Sequence, residues 1–94
     1  MKESEIESKL VEEVRKLGGV AFKWVSPGNT GVPDRIIILP KGIIWFVELK
    51  TDSGQLRPTQ KRQIARLNAL GVQTYVLKGE SGLTAFLDMI GGSE

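Results

Sequence analysis

The stretch Pro33-Asp34-Arg35-Ile36-Ile37-Ile38-Leu39-Pro40-Lys41-Gly42-Ile43-Ile44-Trp45-Phe46-Val47-Glu48-Leu49-Lys50 decides how this chain folds. Two runs rich in β-branched and aromatic residues, Arg35 to Leu39 and Ile43 to Val47, flank Pro40-Lys41-Gly42, which predicts a β-hairpin with a three-residue loop. If Leu39 faces Ile43, the ladder carried to its far end sets Asp34 opposite Glu48, with Cβ atoms about 4.5–5.5 Å apart. Lys50 lies two residues beyond Glu48 and shares its face, because side chains alternate along a strand. A register altered by one residue would separate these groups.

Two opposed carboxylates repel each other and titrate as a pair unless a positive charge sits between them. A divalent cation meets that need. Mg²⁺ takes oxygen ligands, is commonly held by one or two carboxylates, and leaves room for water and substrate phosphate. A lysine beside it can orient water, lower its pKa, or stabilise charge developing on phosphate. Taken singly, Asp34 reads as a turn residue after Pro33, and Glu48 with Lys50 as an ordinary ion pair. Taken together they point to phosphodiester chemistry, since Glu48 ends an apolar run where a charge needs a partner. The backbone carbonyl of Leu49, between Glu48 and Lys50, is a further candidate ligand.

Composition narrows the chemistry. Ninety-four residues make one domain with a modest core, for which a dimer is the natural expectation. The chain has no cysteine, hence no disulfide framework and no thiolate metal site. It has no histidine either, which excludes Ser-His triads, histidine-dependent nucleases and imidazole metal sites. Acid–base work must run through carboxylates, lysine or water on a metal. The polar start Met1-Lys2-Glu3-Ser4-Glu5 is no signal peptide and no apolar run has the length of a membrane span, so the expectation is a soluble, cytoplasmic protein of a viral or bacterial host cell. Net charge is only +2, but it is uneven: Lys50, Arg57, Lys61, Arg62 and Arg66 face Asp52 alone, whereas Glu3, Glu5, Glu7, Glu12 and Glu13 crowd the amino-terminal segment. The basic segment reads either as a track for a phosphate backbone or as a solvated helix face.

Outward from the hairpin, Ile6, Leu10, Val14 and Leu17 predict an amphipathic helix over residues 4–17, stopped by Gly18-Gly19. Glu7 borders its apolar stripe, where it either adds a carboxylate to the metal site or closes a capping box with Ser4. Val20 to Val25 predict a first strand, on which Lys23 is a candidate for reaching the catalytic side. The loop Ser26-Pro27-Gly28-Asn29-Thr30-Gly31 delivers the chain to Pro33-Asp34, and Asn29 is its candidate substrate contact. Pro58 opens a helix to Leu70 with Ile64, Leu67 and Leu70 as the buried stripe. Gln60 falls on its sheet-facing side, as a phosphate or metal–water contact or as a half-buried glutamine bonded to backbone. Gln73 to Leu77 predict a fourth strand, Ser81 caps a last helix using Leu83, Phe86, Leu87 and Ile90, and residues 91–94 form a flexible tail. The order is α-β-β-β-α-β-α. A strand entered through a helix crossover lies parallel to an earlier one, so the sheet is mixed, in an α/β (α+β) fold with helices packed around it.

With these elements in order, Gly31-Val32-Pro33-Asp34-Arg35, Phe46-Val47-Glu48-Leu49-Lys50 and Gln60 resemble the VRR-NUC (virus-type replication and repair nuclease) family of the PD-(D/E)XK nuclease superfamily. The likeness runs from about Glu3 to Leu77. It implies a restriction-endonuclease-like core in which Asp34 and Glu48 ligate Mg²⁺ or Mn²⁺ and Lys50 is the catalytic lysine. Glu7 would be the acidic residue of the first helix, with Glu3 competing for that role one turn earlier, and Gln60 the polar residue of the second. Arg35, Arg57, Lys61 and Arg62 join Lys23 and Asn29 as candidate DNA contacts. The implied activity is hydrolysis of DNA phosphodiesters by metal-activated water, with a junction-resolvase-like homodimer acting on branched DNA. The alternatives are a nuclease for flaps, nicks or single strands guided by a replication or repair partner protein, and a non-catalytic DNA-binding module.

Overall fold

The hairpin forms in the expected register. In the computed structural model, which describes residues 1–91, β2 (Arg35–Leu39) pairs antiparallel with β3 (Ile43–Lys50) from Leu39↔Ile43 to Arg35↔Val47. The turn Pro40–Gly42 is one 3-10 turn in which Lys41 and Gly42 both take positive φ, 71° and 72°. α1 (Glu3–Lys16) and β1 (Val20–Lys23) precede the hairpin, and α2 (Pro58–Ala69), β4 (Thr74–Lys78) and α3 (Gly79–Gly91) follow it. The sheet order is β1-β2-β3-β4, antiparallel except for β3 with β4, which run parallel from Phe46↔Thr74 to Lys50↔Lys78.

Alternation gives the sheet two unlike faces. The inner face carries Ile37, Leu39, Val47, Leu49 and Leu77 against Ile6, Leu10 and Val14 of α1 and Leu83, Phe86 and Ile90 of α3, all buried. Each such side chain contributes roughly 1.5–3 kcal/mol by leaving water. Trp45 and Tyr75 extend this layer, with Trp45 meeting Tyr75 at 5.3 Å and Phe86 at 6.4 Å between ring centroids. On the outer face three rungs follow one another: Val20, Ile38 and Ile44; then Phe22, Ile36 and Phe46; then Trp24 and Glu48 on either side of Asp34. α2 covers only the β3–β4 end of this face, so Val20, Phe22 and Ile44 remain exposed.

Several local expectations are corrected. α1 starts at Glu3, and its first turn is closed by Lys2 N–H donating to Glu5 Oε1 at 2.8 Å, not by a Ser4–Glu7 box. β1 ends at Lys23, short of Val25. Leu70 is 74% exposed and does not belong to a buried stripe, because α2 ends at Ala69 and Gly71 turns the chain away. α3 begins at Gly79, so Ser81 lies inside the helix and is not its cap. Gly79 takes φ +63°, which lets β4 pass straight into the helix without a linker. Of the tail expected at 91–94, Gly91 closes α3, and residues 92–94 lie outside those described.

Candidate functional site

The site lies where β2 stops and β3 continues. Pro33 has no N–H to offer a ladder, and the regular β2–β3 pairing ends at Arg35↔Val47, one residue short of the expected Asp34–Glu48 rung. β3 is carried on to Lys50 by its other neighbour, β4. Its free edge is then met by a side chain: Leu49 N–H donates to Asp34 Oδ2 at 3.0 Å. Asp34 is itself held in line with β1, its carbonyl accepting from Trp24 N–H at 2.9 Å. In an antiparallel ladder a residue's N–H and C=O leave from the same edge, so the Leu49 carbonyl also emerges on the Asp34 side.

Glu48 points to the face opposite Val47 and Leu49 and is 2% exposed, because α2 covers this end of the outer face through Gln60. Its Oε2 accepts from Gln60 Nε2 at 3.0 Å and stands 3.8 Å from Lys50 Nζ, while Oε1 is buried with no hydrogen-bond partner. Burial pushes its carboxyl up from 4.5 to about 7, Asp34 adds to that by charge and by hydrogen bonding, Lys50 opposes it, and Glu3 adds a smaller push. A buried carboxylate with one unpartnered oxygen and a second carboxylate beside it is a costly arrangement. Among the described residues no third acidic or histidine side chain completes a cluster of three, but two carboxylates and a backbone carbonyl suffice for a hard cation that keeps its remaining ligands from solvent. The residues present fit such an ion.

Gln60 joins two elements. Its Oε1 accepts from Arg57 N–H at 2.8 Å, closing the first turn of α2, and its Nε2 reaches Glu48, so the same carboxamide caps the helix and seats it over the sheet. Gln60 is thus the backbone-bonded glutamine of one expectation, and it also stands beside the Glu48 carboxylate. The loop before Asp34 is fixed on the other side of α2: Gln63 Nε2 donates to Thr30 O at 3.3 Å, and Gly31, at φ +92°, passes so close that a Cβ there would lie 2.7 Å from the Thr59 backbone. Neither Gln63 nor Gly31 was singled out from sequence for this role; the positive-φ glycine just before the Pro-Asp pair is the only local signal.

Other candidates fall outside the carboxylate pair. Glu7 forms an ion pair with Arg35 Nη2, and Arg35 Nη1 donates to Ala21 O at 3.0 Å. Arg35 points to the inner, α1-facing side, so the guanidinium expected on DNA is engaged within the fold, and so is the helix carboxylate expected on the metal. Glu3, one turn earlier, is the α1 carboxylate whose charge Glu48 feels. Lys23 pairs with Arg35 in the ladder and therefore leaves the sheet on the face opposite Glu48, a correction that follows from strand alternation. Asn29 is held in its own turn, donating from Nδ2 to Ser26 Oγ at 3.1 Å. Arg57, Lys61 and Arg62 are exposed at the start of α2.

A sheet edge interrupted to admit an aspartate, followed by Glu-x-Lys on the continuing strand, defines the class to which the chain compares. The VRR-NUC domain model matches residues 2–81, and the chain belongs to this family of nuclease domains. It is 52% identical over 80 residues to a protein named "Putative nuclease p44" from Acyrthosiphon pisum secondary endosymbiont phage 1, a match covering 85% of this chain and 86% of that protein. A solved structure described as a VRR_NUC domain superposes with a TM-score of 0.86 at 30% identity, over 92% of this chain and 94% of the other. Another, a VRR_NUC domain protein, shares the fold at a TM-score of 0.72 and 17% identity, over 94% and 86% of the two chains. No helix among the described residues is long and apolar enough to cross a membrane.

Proposed function

We propose that this protein is a metal-dependent, structure-selective DNA endonuclease, acting as a junction-resolvase-like homodimer on branched DNA. One observation carries the reading: Asp34, the vacant Oε1 of Glu48 and the Lys50 ammonium converge where the β2–β3 ladder ends. A Mg²⁺ or Mn²⁺ ion held by Asp34, Glu48 and the Leu49 carbonyl would supply the Lewis acidity that polarises a phosphoryl group and acidifies water. The chain's own contribution is placement. Leu49 N–H fixes Asp34 Oδ2, and Gln60 fixes Glu48 Oε2 while Oε1 has no hydrogen-bond partner. Lys50 Nζ is held 3.8 Å from Glu48 Oε2, where it would donate to a phosphoryl oxygen or to an attacking water. Arg57, Lys61 and Arg62 give the strand a basic approach along the amino-terminal half of α2.

The homodimer reading is supported by the apolar rung of Val20, Ile38 and Ile44, the outer-face rung most remote from Asp34, whose outer members are exposed. A two-fold pairing there would present two sites to two strands. Incubation with an end-labelled four-way junction and Mg²⁺ tests both parts. Paired symmetric cuts, lost in Asp34→Asn and Lys50→Ala, are expected, together with a dimer by sedimentation. Cutting of flaps or single strands alone, by a monomer, would replace the resolvase reading, and binding without cleavage in either metal would leave a DNA-binding module.

A further inference from the structure

The outer face of the sheet changes character toward the site. Its first rung is aliphatic; its second holds Phe22 and Phe46 around Ile36; its third sets Trp24 beside Asp34. Trp24 is half-buried, and its ring lies 5.1 Å from that of Phe46 at an interplanar angle of 47°, while Phe22, two residues back on the same strand, is 58% exposed. Scattered exposed apolar residues are ordinary on a protein surface, but aromatics gathered against a charged site are not scattered.

We propose that Trp24, braced by Phe46, is a stacking platform for an unpaired base of the substrate strand immediately beside the phosphate held at Asp34 and Glu48. The proposal rests on the nuclease reading and gives it a substrate requirement. Trp24 stands across from Asp34 one residue beyond the end of β1, its N–H donating to Asp34 O at 2.9 Å, a placement that separates opposed Cβ atoms by about 4.5–5.5 Å. That is within the reach of one nucleotide from its phosphate to its own base. Trp24 keeps part of its surface open and its neighbour Phe22 is exposed, so a base has access from solvent. A base inside a duplex has both faces occupied by its neighbours, whereas an unstacked one offers a face to an aromatic ring irrespective of its identity. The site would therefore select DNA in which pairing is interrupted next to the cut, as at a branch point, without reading sequence.

The protein has two tryptophans, and the second serves as an internal reference: Trp45 packs between Tyr75 and Phe86 with its Nε1 buried. Tryptophan emission of the wild-type protein should be quenched by a single-stranded oligonucleotide in the absence of divalent cations, and much less by a duplex of equal length. Trp24→Phe, which keeps the ring pair with Phe46 and so the fold, should leave only the unresponsive Trp45 signal. Trp24→Ala should weaken single-strand affinity roughly 5- to 150-fold, the range that one lost base stack implies. In Mg²⁺, a branched substrate made abasic at the nucleotide flanking the cut should be cleaved more slowly by the wild-type protein, with no added loss in Trp24→Ala. Abasic and intact substrates cut equally by the wild type would overturn the platform. So would Trp24 emission that shifts with protein concentration in the absence of DNA, which would place the ring under a second copy of the chain. The two readings fail separately: quenching with no cleavage of any DNA form retains the platform and removes the nuclease, and cleavage without quenching does the reverse.

Discussion

Gln60 Nε2 donates to Glu48 Oε2 at 3.0 Å, and both residues are buried. This bond ties α2 to the strand that carries the site, and among the described residues it is the hydrogen bond the Glu48 carboxylate makes besides its contact with Asp34. Because the other end of the carboxamide closes the first turn of α2, helix capping and site assembly depend on one side chain.

Gln60→Ala removes both bonds and leaves Glu48 buried with less support. The expected loss is about 2–4 kcal/mol, a cap together with an unsatisfied buried group. Urea denaturation should show a lower midpoint with little change in slope. Gln60→Glu should be worse near neutral pH, since it sets a second carboxylate against Glu48. A loss below about 0.5 kcal/mol in Gln60→Ala would show that α2 is seated by other contacts.

Glu48 makes stability depend on pH in a definite direction. Its carboxyl is raised from 4.5 to about 7 in the folded protein, so the folded state holds the proton more tightly than the unfolded chain. That contribution is complete below about pH 4.5 and is lost as the pH climbs through about 7. Metal-free protein should be less stable at pH 8 than at pH 5.5 by about 2 kcal/mol from this group. Glu48→Gln should flatten the dependence. Added Mg²⁺ should raise the melting temperature more at pH 8 than at pH 5.5, because a cation favours the ionised pair. Thermal melts at the two pH values check all three; equal Mg²⁺ effects at both would count against a carboxylate site.

Gly31→Ala should damage the site without altering any polar group. The new Cβ would meet the Thr59 backbone at 2.7 Å, and φ of +92° is unfavourable for any residue with a side chain. Gly28, at φ +81° but with open space around its Cβ position, is the control. The expected cost at Gly31 is about 2–4 kcal/mol against about 1 at Gly28. Gly31→Ala should also lower activity in protein that remains folded, since the displaced loop carries Asp34. Similar costs at the two glycines would show that backbone conformation alone, not the close approach to α2, decides.

Glu7 and Glu3 should separate stability from metal affinity. Glu7→Gln and Arg35→Ala break a half-buried ion pair, and a double-mutant cycle should give a coupling of about 1–2 kcal/mol in stability with little effect on Mg²⁺ affinity measured by calorimetry. Glu3→Gln should leave stability nearly unchanged and weaken Mg²⁺ binding several-fold, because Glu3 is the α1 carboxylate whose charge reaches Glu48. The opposite pattern would return the metal role to Glu7.

Local rules carried far along this chain. The hairpin register, the face shared by Glu48 and Lys50, the helix stops at Gly18 and Gly71 and the parallel fourth strand all follow from alternation and turn chemistry within a few residues. What failed had a common cause. Glu7 was open between a cap and a ligand, and the structure gives it Arg35, 28 residues away, which no local pattern announces. Leu70 kept helical spacing with Ile64 and Leu67, yet α2 covers only part of the sheet and Leu70 falls beyond it. The side of the sheet that Lys23 faces is set by its ladder partner Arg35, which fixes it opposite Glu48.

The sequence by itself determined the hairpin register that brings Asp34, Glu48 and Lys50, the groups proposed for the chemistry in a chain without histidine or cysteine, to one end of the sheet. Only the tertiary structure decided how they are held. The ladder stops one residue before Asp34, the Asp34 carboxylate takes over as acceptor for Leu49, and the helix that follows β3 folds back to bring Gln60 down on Glu48. Those contacts arise because backbone groups left unpaired at a strand end, and a carboxylate buried by its neighbours, must find partners wherever packing places them.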